Sequence, residues 1–175
     1  MRRDPLAHPE EAIRRVYSYV AYRIGPGAEA EDIVSETIER ALRYRDSYDP
    51  QRGSPAAWLT GIASRVLADA YARRSEHATI DGVEEASPED IQTDVHRRLA
   101  LHDAVRRLDD RSRELVALRY GADLKAREIA DVMEMQVNAV EVALHRALNR
   151  LRELMEGDDP GAISTERASP SASRG

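Results

Sequence analysis

Ile13, Val16, Tyr17, Val20 and Ile24 fall on one helical face, and Gly25-Pro26-Gly27 ends the segment. A second helix is expected from about Ala28. Glu29, Glu31 and Asp32 stand against its N-terminal dipole, and Ile33, Val34, Thr37, Ile38, Ala41 and Leu42 turn inward. Asp46 to Gly53 (DSYDPQRG) reads as a loop. Ser54-Pro55 then offers an N-cap followed by proline at the first helical position. The helix it opens carries Trp58, Leu59, Ile62, Ala63, Val66, Leu67 and Ala70 inward and ends near Arg73-Arg74. Three interlocking stripes predict one small core.

Ser75 to Asp94 holds turn-formers, acids and few large apolar residues, and reads as a linker. The helical period returns from Val95 with Leu101, Ala104, Val105 and Leu108, and continues through Leu115 and Leu118. Ile129, Val132 and Met133 follow, then Val140, Leu144, Leu148 and Leu151. Within this second block, Leu108 to Leu154 joins short apolar-periodic segments by a tight turn to a longer Arg-bearing one. That is the layout of a helix-turn-helix, whose second helix is shaped for a DNA major groove. The expected fold is all-α: two small helical bundles at 1–74 and 96–156, a flexible acidic linker at 75–95, and a disordered tail at 157–175.

Charge changes this picture. The net charge of −6 is unfavourable for a DNA binder, yet residues 75–95 alone hold seven acids and no base. The two bundles are close to neutral, so each gains little from counterion release and would hold DNA weakly unaided. Of 26 basic residues only Lys125 is a lysine, which reflects a bias toward arginine codons and also suits phosphate contacts. No cysteine is present, so disulfides and thiolate metal sites are excluded. No apolar run reaches the length of a membrane span and no signal core follows Arg2-Arg3, so a cytoplasmic protein without membrane insertion is expected.

AEAEDIVSETIERALRYRDSYD, PAAWLTGIASRVLADAYARR and LHRALNRLREL, in that order, resemble the small extracytoplasmic-function (ECF) type of sigma-70-class RNA polymerase sigma factor. The resemblance spans roughly Glu10 to Leu154. It implies a region-two bundle whose second helix docks on the beta-prime clamp helices of core polymerase, through Asp32, Glu36, Glu39, Arg40 and Arg43. It implies that the loop and third helix hold the melted minus-ten element, with Tyr48, Asp49, Gln51, Arg52, Arg65, Arg73 and Arg74 as the contacts. The acidic linker would thread the polymerase channel. A region-four module beside the beta flap would read the minus-thirty-five element through Gln136, Asn138, Ala139, Glu141, Val142, His145 and Arg146. An anti-sigma factor covering both modules is a further implied partner, and a compact free form is compatible with this.

The recognition segment departs from the family pattern. Gln136, Ala139, Glu141 and Ala143 stand where Ser, Thr, Lys and Arg are usual; Glu134 replaces a turn glycine and Lys125 a serine cap. Glu141 would meet phosphates or bases where a cation is expected, although it could accept from a cytosine amino group. Two other readings therefore stay open. One is a sigma-like protein that binds polymerase or an anti-sigma factor without reading promoters; the other is a stand-alone helix-turn-helix regulator. Trp58 on its own reads as a core anchor, and Arg73-Arg74 as a solvated helix end. His8, His77, His96, His102 and His145 lack metal-ligand spacing, and no nucleophile-base-acid order or nucleotide fingerprint is visible. No enzyme activity, cofactor, metal or small-molecule substrate is expected.

Overall fold

In a computed structural model, which describes residues 4–77 and 93–157, the chain is helical and no strand occurs among the described residues. Helices α1 (Pro9–Ile24), α2 (Ala28–Arg43) and α3 (Pro55–His77) form the first half. Helices α4 (Thr93–Arg106), α5 (Asp110–Val116), α6 (Ala126–Met133) and α7 (Val137–Gly157) form the second, with a π turn at Ala117–Gly121 after α5. The expected linker falls largely, and the expected tail almost wholly, outside the described residues. Helix α3 extends three residues beyond the expected boundary at Arg74, and α4 begins at Thr93.

Local chemistry sets the helix ends. Gly25 and Gly27 take φ of 102° and 131°, a region that glycine enters without a Cβ penalty, and this lets α2 fold back along α1. The Ser54 hydroxyl accepts the Ala57 amide at 3.2 Å and so caps α3 as its sequence predicts. Asp109 caps α5 by accepting the Ser112 amide at 3.0 Å; hydrogen bonding from the Ser112 side chain, and then from this amide, holds its carboxyl below the usual aspartate range. Lys125 cannot accept such a bond. Instead Glu128 reaches back and takes the Lys125 amide at 2.9 Å, which supplies half of a capping box at α6.

Val16, Tyr19 and Val20 of α1 pack with Ile33, Val34 and Ala41 of α2 and with Leu59, Ala63, Val66 and Leu67 of α3. This is the predicted first core, but it does not stop at the first half. Leu115, Leu118, Leu124, Ile129 and Val140 belong to the same buried cluster, so one core runs from α1 into the helix-turn-helix. A smaller cluster of Ala104, Val105, Leu108, Val116, Ala147, Leu151 and Leu154 ties α4 and α5 to α7. The two bundles expected as separate bodies therefore share a continuous apolar interface.

Two inward assignments are corrected. Leu42 is 58% exposed and Ile13 is 44% exposed. In α2 the buried positions are Ala30, Ile33, Val34, Thr37 and Ala41. Leu42 sits one residue, about 100° of helix rotation, beyond that stripe. Trp58, read as a core anchor, is only half-buried against the core margin.

Candidate nucleic-acid interface

The first surface is the polar side of α2. Asp32, Glu39 and Arg43 are exposed, and Arg43 pairs with Glu39 at 2.8 Å. Arg40 bridges two helices: it donates to Asp69 of α3 at 2.8 Å and to Glu36 one turn back at 2.5 Å. Those hydrogen bonds, the one to Asp69 foremost, hold the guanidinium above its ordinary range. Part of the expected polymerase face thus ties α2 to α3. Leu42 and Tyr44 add exposed apolar area at the end of the helix, which the inward reading of Leu42 concealed.

A second surface is a cavity of about 480 Å³ between the 44–53 loop, α3 and α6. Tyr48 is buried in its wall; its hydroxyl donates to the Gly53 carbonyl at 3.1 Å and its ring lies 5.6 Å from that of Trp58 at 60°. Asp49 shapes the loop by accepting the Gln51 amide at 2.9 Å. Arg52 and Arg65 line the cavity and make no ion pair among the described residues. An apolar-aromatic wall beside unpaired guanidiniums suits an unstacked base with its phosphate. Ile62, half-buried in the same wall, was assigned to the core by its spacing alone.

Of the residues expected at the minus-ten strand, the structure brings Tyr48, Asp49, Arg52 and Arg65 together. Gln51 is exposed beside the cavity without lining it. Arg73 and Arg74 lie two turns further along α3, facing α2: Arg73 is 3.5 Å from Glu36, and Arg74 bonds Glu29 at 2.5 Å. They sit at the α2–α3 seam, away from the pocket.

The third surface is α7. Gln136, Asn138, Ala139, Glu141, Val142, His145 and Arg146 are all exposed, while Val140 and Ala147 face the core. The turn before it places Glu134 at φ 54°, ψ 45°, where glycine was expected from the pattern. Asn149 contacts His145 Nε2 at 3.1 Å, so the imidazole leans along the helix instead of packing on its apolar face. No helix among the described residues is long and apolar enough to cross a membrane, and no cluster of His, Asp or Glu there could hold a metal ion.

Comparison with known proteins matches these halves in order. Residues 10–77 match the family model Sigma-70 region 2, and residues 98–151 match Sigma-70, region 4. The ECF RNA polymerase sigma factor BldN of Streptomyces coelicolor is 39% identical over 150 residues, covering 82% of this chain and 57% of BldN. SigD of Mycobacterium tuberculosis, also an ECF RNA polymerase sigma factor, is 33% identical over 168 residues, covering 86% of this chain and 77% of SigD. Among solved structures, the sigma factor RpoE of Bartonella quintana, in complex with the anti-sigma factor NepR, shares the fold at a TM-score of 0.65 and 20% identity. The match covers 84% of this chain and 93% of that one. CnrH, in complex with the cytosolic domain of CnrY, gives 0.59 at 25% identity over 86% and 84% of the two chains.

Two helical modules, the second a helix-turn-helix, with these matches in this order define the class. The chain belongs to the sigma-70 family of RNA polymerase sigma factors, in its ECF group. It spans little more than half the length of BldN and about three quarters of SigD.

Proposed function

We propose that this chain directs core RNA polymerase to a restricted set of promoters and assists their opening, acting in the cytoplasm and performing no chemistry itself. Asp32, Glu39 and Arg43, with Glu36 and Arg40 behind them, meet the clamp helices. The Tyr48–Trp58 cavity takes an unstacked minus-ten base, with Arg52 and Arg65 on its phosphates. Helix α7 enters the minus-thirty-five major groove through its exposed row from Gln136 to Arg146. An anti-sigma factor is the partner expected to hold the protein inactive, since RpoE and CnrH are each seen bound to a protein partner.

The observation that carries this reading is the occurrence of both family matches, in order, on a chain whose α7 row from Gln136 to Arg146 presents an exposed face. Run-off transcription with sigma-free core tests it. Promoter-dependent transcripts are expected; core association with no start-site selectivity would overturn it.

That second outcome is the reading favoured by one residue. Glu141 is exposed in the middle of the α7 row, where in a major groove it would oppose phosphate. If the acid limits affinity, Glu141→Lys strengthens binding to duplex DNA and steepens its salt dependence by about one counterion. Unchanged binding would mean that position 141 points away from the duplex.

A further inference from the structure

Helix α7 turns Val140, Ala147, Leu151 and Leu154 to the core. At about 100° per residue, Asn138, Val142, His145 and Asn149 fall on the line opposite that stripe, the line that enters a groove deepest. Glu141 and Arg146 flank it by about 70° on either side. Three members of the outward row carry polar groups. The fourth, Val142, is 51% exposed and belongs to neither buried cluster.

Helix formation does not account for this valine. Its branched Cβ makes it a poorer helix former than alanine or an unbranched side chain, and Val137 and Val140 already bring the same handicap to the start of α7. Single exposed apolar residues are ordinary on a protein surface. This one stands in the middle of a row otherwise made of hydrogen-bonding groups.

The rest of the row narrows what Val142 meets. Arg152 donates to Asn149 Oδ1 at 2.8 Å. A guanidinium can only donate, so the Asn149 amide turns its nitrogen toward His145 Nε2, 3.1 Å away, and that ring nitrogen accepts. The imidazole proton then sits on Nδ1, and the ring is held along the helix. Arginine to guanine is the commonest base-specific contact in a major groove, and the outward row has no arginine. Arg146 stands on the flank with Arg150 one turn further on the same side, where phosphates run. The groups left to face base edges are chiefly the Asn138 amide and the two methyls of Val142. An asparagine amide pairs in bidentate fashion with adenine, and an aliphatic side chain picks out thymine, whose methyl group lies in the major groove.

Resting on the promoter reading proposed above, we propose that Val142 is a specificity-determining residue that reads a thymine methyl group in the minus-thirty-five element, with Asn138 on a neighbouring adenine. Contact between the methyl and Val142 removes apolar surface of both from water. Cytosine or a purine at that position leaves the valine against a polar edge. The near-neutral second half thus gains selectivity from apolar contact, where counterion release gives it little.

Holoenzyme assembled from this chain and sigma-free core, offered duplexes randomised over both promoter elements, provides the test. Selected duplexes are expected to share an upstream thymine whose enrichment disappears with Val142→Ala. Replacing that thymine by deoxyuridine removes the methyl group alone, and wild-type affinity should fall about fourfold, the contribution of one buried methyl. Val142→Ala should bind the thymine duplex more weakly and no longer distinguish it from the deoxyuridine duplex, whereas Val142→Ile keeps the distinction. The side chain is exposed, so these variants remain folded. Equal wild-type affinity for thymine and deoxyuridine duplexes, or a thymine preference that survives Val142→Ala, overturns the proposal and leaves promoter selection standing. Selection of no shared sequence overturns the proposed function, and the thymine reading with it.

Discussion

Glu134 is a residue held where its type is uncomfortable. At φ 54° and ψ 45° it occupies a left-handed position that costs a non-glycine residue about 1–2 kcal/mol. Glu134→Gly is therefore expected to raise the unfolding free energy by up to about 1 kcal/mol, the strain relief being partly offset by glycine's entropy. An unchanged urea midpoint would show that the turn is not strained. Tyr19 makes a second prediction, this one in pH. Burial, followed by the nearby Glu114 carboxylate, raises its phenol well above the usual tyrosine range. A raised folded-state pKa gives stability that is fully present below the unfolded value, about 10, and lost as pH rises beyond it. Thermal stability should accordingly fall as pH climbs past about 10, and Tyr19→Phe should flatten that alkaline limb. An identical limb in the variant would place the alkaline loss elsewhere. The Glu134 strain was legible in the sequence, because a missing turn glycine is visible as such. The Tyr19–Glu114 bond was not, since nothing in local spacing links residues 95 positions apart.

At the scale of elements, periodicity located the helices, and Ser54 was legible as the cap of α3, but the Asp109 cap was not read and the ends of the stripes were misjudged. Leu42 follows the buried Ala41, and chain spacing alone cannot say that the core stops there. The π turn was likewise invisible: Ala122 bonds back to Ala117 at 3.0 Å, one residue wider than an α-helix, and no propensity marks such a step. The loop from Asp46 to Gly53 was legible as a loop, although Arg45–Ser47 wind into a 3-10 turn, and its cavity emerged only when Trp58 and Arg65 were placed beside Tyr48. The α2–α3 seam carries its own prediction. Arg73 and Arg74 pair with Glu36 and Glu29, away from the cavity. Since exposed pairs contribute little, Arg73→Ala with Arg74→Ala should change stability by less than about 1 kcal/mol. The minus-ten role that the resemblance implies for them, and that the Tyr48–Trp58 cavity does not require, predicts that the double variant impairs open-complex formation, read by permanganate footprinting, and leaves core association intact. An equal fall in core association would assign the two arginines to the polymerase face.

For the whole molecule, the two-bundle reading was correct in content and incomplete in arrangement. Each stripe was assigned to a core within its own half, whereas Leu115, Leu118, Leu124 and Ile129 complete the core begun by Val16 and Val20. Sequence periodicity specifies which face is buried, not what buries it. The same limitation explains why Gly121 passed unnoticed: a Cβ there would lie 2.7 Å from the Cα of Tyr19, in another helix. The near-neutral charge of each half leaves little to gain from counterion release on DNA; in the proposed function, selectivity therefore depends on a scaffold that separates the halves. Sedimentation of the purified chain with sigma-free core polymerase tests that dependence most directly. A stoichiometric complex is predicted, with negligible duplex binding by the free chain at physiological salt. Absence of a complex, or tight duplex binding without polymerase, would contradict it.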